Sequence, residues 1–99
     1  MEFYEYFIGD EALALAKEFK KYFKGFKGKR MKILILILQE DGKLRPLERQ
    51  FKEFYKVMQD FCDWSIGSRQ AINDVKKEHI REEEFEEIRT LLNSVYANL

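Results

Sequence analysis

Hydrophobic and polar residues follow three different rhythms along this chain, and each predicts a different element. Residues 2–8, Glu-Phe-Tyr-Glu-Tyr-Phe-Ile, are dense in aromatic side chains and stop at Gly9, which predicts a strand. Asp10 then offers an N-cap and Glu11 an acidic first turn. Ala12, Ala16, Phe19, Phe23 and Phe26 recur at spacings of three or four, the period of an amphipathic helix over about residues 11–24. Gly25 and Gly28 close it. Residues 33–38, Ile-Leu-Ile-Leu-Ile-Leu, have no polar interruption. A run of six is short for a helix and predicts a strand buried on both faces. Strand, helix, strand in this order implies a right-handed βαβ unit with parallel strands. Two strands alone do not hold in water, so this sheet asks for strong helix cover or a second copy of the chain.

Beyond the Asp41-Gly42-Lys43 turn, Pro46 suits the first position of a helix. Leu47, Phe51, Phe54, Met58 and Phe61 follow as a regular apolar stripe, predicting a long helix to about Asp63. Ser65 to Ser68 breaks it, and Ser68 can cap a short helix carrying Ile72 and Val75. A last helix starts near Glu82, with glutamates in its first turn and an apolar face of Phe85, Ile88, Leu91, Leu92 and Val95. The expected order is β-α-β-α-α-α: one α+β domain over residues 1–99, a small parallel sheet packed by helices and completed or covered in a homodimer.

Composition narrows the function classes. The chain has 99 residues, 45% of them hydrophobic and 15% aromatic, which suits one packed domain rather than a disordered segment. One cysteine, Cys62, excludes an intramolecular disulfide and a multi-cysteine zinc site, and one histidine, His79, excludes a histidine-pair metal site. No CxxC, GxSxG or glycine-rich phosphate loop occurs. These absences point away from an enzyme, a metal or a cofactor. The longest apolar run is far too short to span a bilayer, and the acidic, aromatic start does not resemble a signal peptide, so a soluble, cytoplasmic protein is expected.

Charge adds the main functional signal. Lys and Arg number 18 and Asp and Glu number 18, but they are segregated. Lys17 to Lys32 contains eight basic residues and one acid, Glu18, whereas Glu78 to Glu87 contains six acids and one arginine, Arg81. Lys17, Lys20, Lys21 and Lys24 share one face of the predicted helix, opposite its phenylalanines, and Lys27, Lys29 and Arg30 continue the positive charge beyond it. A fixed row of cations is what a phosphate backbone requires, because each neutralised phosphate releases a condensed counterion. Tyr22, Phe23 and Phe26 beside the row could stack bases if exposed, though core packing is the commoner fate of such residues. Arg45, Arg49 and Lys52 add positive charge near the start of the long helix. Trp64 suits core or interface, Cys62 packing, and His79 a helix end. The glutamates at 82–87 form a solvated face that could alternatively receive a protein partner.

Read together, the predicted strands, the turn, Arg45-Pro46-Leu47-Glu48-Arg49-Gln50 with Phe54 beyond it, and the acidic entry to Phe85, Ile88 and Leu92 form a layout. It resembles the phage recombination proteins of the lambda NinB (Orf) family. In that family an Arg-small-Leu-x-x-Asn motif opens a long helix after a hydrophobic strand. Gln50 stands where the family usually has Asn, Pro46 where it usually has Ser or another small residue, and this chain is shorter. The resemblance implies a dimeric recombination mediator that holds single-stranded DNA on a basic surface without catalysis. The expectation is therefore a non-enzymatic, single-stranded-DNA-binding protein of a phage or mobile element, contacting phosphates through Lys20, Lys21, Lys24, Lys27, Lys29, Arg30, Arg45 and Arg49. The alternative is a small viral or host protein that modulates another protein through its acidic C-terminal helix.

Overall fold

The computed structural model describes all residues, Met1–Leu99, and contains no sheet. The order is a 3₁₀ turn at Phe3–Tyr6, α1 at Ala12–Phe23, α2 at Lys29–Glu40, α3 at Phe51–Phe61, α4 at Arg69–Asn73, a 3₁₀ turn at Lys77–His79 and α5 at Glu82–Ala97. The α+β expectation is therefore wrong, and so is the parallel βαβ unit: the protein is an all-α bundle.

The run at 33–38 is the middle of α2, not a strand. Its polar flanks, Lys29-Arg30-Met31-Lys32 and Gln39-Glu40, join the helix and bring it to 12 residues. A helix apolar on nearly every side belongs in the centre of a bundle. Met31, Ile33, Leu34, Ile35, Ile37 and Leu38 are all buried, with α4 and α5 packed against them. Cover thus comes from within one chain, and the two-faced strand that asked for a second copy does not exist.

The other expected strand, residues 2–8, is also corrected. Its buried members are Phe3, Tyr6 and Phe7, spaced three and one apart, while Tyr4 is exposed, so the segment does not alternate as a strand would. The 3₁₀ turn is closed by the Glu2 N–H donating to Glu5 Oε1 at 2.9 Å. It wedges Phe3 between α1 and α3, with ring centroids 5.1 Å from Phe19 and 4.5 Å from Phe61. The chain then pairs once, antiparallel, at Phe7 and Leu44. The Ile8 N–H donates to Lys43 O, and the Arg45 N–H donates to Tyr6 O.

Helices α1, α4 and α5 lie where the spacing places them. Ser68 caps α4 by accepting from the Ala71 N–H at 3.0 Å, although Val75 falls outside the helix. Helix α3 begins at Phe51 rather than at Pro46. Leu44 is held in the bridge to Phe7 and Leu47 is buried ahead of the helix, so Arg45 to Gln50 turns the chain instead of opening α3. Arg49 takes a left-handed φ of 62° in that turn, a conformation that costs a non-glycine residue about 1–2 kcal/mol. Both strands and the helix-opening motif of the family pattern are therefore helix or turn here.

Two polar ties set the helices against each other. Arg89 of α5 donates to both carboxylate oxygens of Asp41 at 2.6 and 2.7 Å, and the Tyr96 hydroxyl donates to Asp41 Oδ2 at 2.7 Å. Together they fix α5 to the end of α2. On the other side, the 62–67 connection meets the α1–α2 loop. The Gly28 N–H donates to Ile66 O, and a Cβ on Gly67, whose φ is +92°, would stand 3.1 Å from the Gly28 nitrogen. Only glycine fits this approach.

Candidate nucleic-acid interface

The eight cations between Lys17 and Lys32 do not share one fate. Ala16, Phe19 and Phe23 are buried on the inner face of α1, which turns Lys17, Lys21 and Lys24 out to solvent. Lys20 lies half-buried with its ammonium 4.9 Å from the Phe61 ring centroid, lending its stem to the packing while its head stays wet. Lys21 stands at the edge of ion-pair range, 4.0 Å from Glu18. Lys17, Lys20, Lys24 and Lys27 form no ion pair. Lys20 and Lys21 also occupy the last turn of α1, where cations complement the helix dipole.

Lys29 and Arg30 are taken up by the fold. Lys29 Nζ donates to Glu84 Oε1 at 2.9 Å, and Arg30 pairs with Glu87 at 3.7 Å while lying over the Phe26 ring at 4.4 Å. The hydrogen bond from Lys29, joined by the Arg81 N–H, holds the Glu84 carboxyl down to about 2. Lys29, Arg30 and Lys32 in the first turn oppose the dipole of α2, and Glu84 and Glu87 of α5 offset the first two. Lys32 is half-buried, donates to Asn73 O, and has its pKa lowered by burial against a smaller opposing pull from Asp74.

Arg45 and Arg49 lie elsewhere. They line a cleft of about 560 Å³ with Met1, Tyr6 and Lys56, at the start of α3. Lys20 lies over Phe61 at the far end of that helix, about 15 Å away at 1.5 Å per residue. The two expected contact regions are thus opposite ends of α3.

The strip of α3 between them carries both signs of charge, because Glu53 also lines the Arg45 and Arg49 cleft and Glu2 and Asp60 line the hollow beside Phe61. A second groove of α3 holds Lys52, already counted with Arg45 and Arg49, and Lys56, which sequence reasoning passed over. Lys52 and Lys56 lie one turn apart and share a groove with Arg69 of α4. The spacing of Lys52 and Lys56 was visible in the sequence; the arrival of Arg69 beside them was not, because the 62–67 connection places it. Trp64 serves that connection. Its indole N–H donates to Phe26 O at 2.8 Å, so it pins two loops together and is not a free stacking platform. Phe23 and Phe26 are buried and Tyr22 is half-buried, so the basic row has little aromatic surface to offer bases.

Cys62 is buried, and burial pushes its thiol up to about 12, against a smaller opposing effect of Lys20. His79 is exposed in a 3₁₀ turn, and no three His, Cys, Asp or Glu side chains are grouped to hold a metal. No helix is long and apolar enough to cross a membrane. Compared with known proteins, the chain matches no family model, no curated protein sequence and no solved structure.

Proposed function

We propose that this protein binds the phosphate backbone of nucleic acid, without catalysis, through the outer face of α1 and the loop after it. The observation that carries the reading is the inequality within one basic stretch. Lys17, Lys20, Lys24 and Lys27 have no carboxylate partner, whereas Lys29 and Arg30 do. Unpaired like charges on one fixed helix face are retained at a cost in repulsion, and an anionic partner removes that cost. The burial of Phe23 and Phe26 supports binding led by phosphates rather than by stacked bases. Arg45 and Arg49 extend the surface only for a strand long enough to run along α3 past Glu2, Glu53 and Asp60, so they contribute less to the reading than the α1 row. Single-stranded DNA is the form we favour, because a flexible strand can follow both ends of that helix.

A homodimer now rests on narrower ground, the exposed apolar side chains Ile8, Leu13 and Leu99, and sedimentation at micromolar concentration tests it. A second reading has one specific observation in its favour. Glu82, Glu83 and Glu86 at the start of α5 are exposed and unpaired, a face suited to a basic protein partner.

Changing Lys20, Lys21 and Lys24 together to Glu decides between them. The buried phenylalanines of α1 are untouched, and circular dichroism with a urea midpoint checks that the fold stands without the Lys20 contact to Phe61 and the cations of the last turn. Affinity for an unstructured oligonucleotide, read by fluorescence anisotropy, collapses in the variant. In the parent, log affinity falls with log salt at roughly −0.7 per phosphate neutralised, so three contacts give a slope near −2. No binding by the parent at about 50 mM salt, where screening is weak, sinks the nucleic-acid reading and leaves the acidic face of α5.

A further inference from the structure

We infer that the groove between α3 and α4 is a seat for one nucleotide phosphate, held by Lys52, Lys56 and Arg69 beside the ring of Tyr55. This site is separate from the α1 row and does not rest on it. The groove measures about 420 Å³, within the size range of small-ligand sites. Lys52 and Lys56 stack on one face of α3, and Arg69 faces them from the first position of α4. All three are exposed and none forms an ion pair. Three cations from two elements meeting in one concavity repel each other, and Asp60 is the single acid among them.

The scaffold that brings them together is rigid, and groove residues build it. The Tyr55 hydroxyl donates to Gly67 O, Gln59 Nε2 donates to Trp64 O at 2.8 Å, and the Ile66 N–H donates to Gln59 Oε1 at 3.2 Å. Ser68 then caps α4. Tyr55 and Gln59 thus fix the connection that delivers the Arg69 backbone beside α3, so the three cations start from set positions and a ligand has only their side chains to order. An arginine fork meets two phosphate oxygens at once, and the lysines add point charges. Tyr55, half-buried and packed partly on the core, lines the same groove, and the exposed part of its ring is the surface a base attached to that phosphate would meet. The negative charge of Asp60 in the same groove opposes a second phosphate, so a monophosphate suits it better than a polyphosphate.

The phosphate could belong to a free mononucleotide or to the 5′ end of a strand, and the test separates the two. Amide chemical shifts of the parent are followed on adding adenosine 5′-monophosphate, adenosine, and a decamer with and without a 5′-phosphate. Adenosine 5′-monophosphate shifts residues 52–60 and 67–70, and adenosine does not. R69Q weakens that binding about tenfold, as expected for a lost charge-assisted hydrogen bond. K56Q does the same and stands in if R69Q loses its fold. Shifts confined to the phosphorylated decamer assign the seat to strand ends; shifts with the mononucleotide as well assign it to nucleotides generally. Equal response to adenosine, an unchanged affinity in both variants, or no shift in the groove with any phosphorylated probe overturns the inference. The Lys20, Lys21, Lys24 reversal leaves groove binding intact, so failure of the α1 reading is seen apart from failure of this one.

Discussion

Helix α1 and the first turn of α2 hold equivalent cations within one stretch of chain, yet they have different partners. Lys17 and Lys24 face solvent with no counter-charge, while Lys29 and Arg30, a few residues on, meet Glu84 and Glu87 of α5. The difference follows from what each helix does. Helix α1 lies at the surface with one aromatic face inward, so its outer face is free. The apolar middle of helix α2 is packed under α5, which brings the glutamates of α5 beside its partly exposed first turn. A run of basic residues therefore cannot be counted as one binding surface until the fold has drawn off the members it needs.

The largest effect that can break this comparison lies beneath the lysine row. Phe23 is fully buried and meets Phe19 and Phe26 edge-on at 5.2 and 5.4 Å. Phe23→Ala should cost ~3–5 kcal/mol in urea unfolding, as large aromatic truncations in packed interiors do. Loss of less than about 0.5 kcal/mol, typical of surface sites, would mean that α1 does not hold the row in place.

A smaller effect is expected at the tie that sets α5 against α2, on which the Glu84 and Glu87 contacts depend. Asp41→Asn removes the charge that Arg89 and Tyr96 share and should cost about 2 kcal/mol, the scale of hydrogen bonds to a charged group. If α5 is registered by this tie, the variant also loosens the Lys29 contact, visible as faster exchange of the Lys32 amide, which donates to Gly28 O at the start of α2. Unchanged exchange there separates the two ties.

How much of this could be read in advance depends on the range of the interaction. The bounds of α1 and the start of α5 follow from local spacing and charged ends, and the α4 cap from Ser68. Helix α2 defeats such reading because an unbroken apolar run carries no period, and only its flanking charged residues show that it is long enough for a helix. Residues 2–8 mislead for a related reason: aromatic residues favour strands on average, but here Phe3 and Phe7 fill a gap between helices. The lysine face of α1 is legible from local spacing. Its shortening at Lys29 and Arg30 is not, because Glu84 lies 55 residues beyond Lys29. The same distance problem conceals Arg69 beside Lys56.

Single neutral substitutions sharpen the contrast further. Lys24→Gln should lower oligonucleotide affinity, with the salt slope falling by roughly 0.7, and leave unfolding unchanged. Lys29→Gln should do the reverse: affinity stays, and stability drops by less than about 1 kcal/mol, as for a partly exposed ion pair. Equal effects on affinity would show that Lys29 leaves Glu84 for the ligand, and the division between the two helices would fail.

The smallest effect lies in the pH dependence of that same pair. Lys29 and the Arg81 N–H hold the Glu84 carboxyl down to about 2, below its ordinary value of 4.5. A carboxylate with a lowered folded-state pKa binds its proton more readily in the unfolded chain. Its contribution is therefore fully present above the ordinary range and is lost as pH falls from about 4.5 towards about 2. The parent and Glu84→Gln, compared by urea midpoint between pH 6 and pH 2, should differ most at the upper end and converge on acidification. Other carboxylates destabilise both chains in acid, and taking the difference between the two removes that shared trend. A gap that stays constant down to pH 2 would mean that Glu84 supports α2 through packing rather than charge. Lys29 would then be free to join the row on α1.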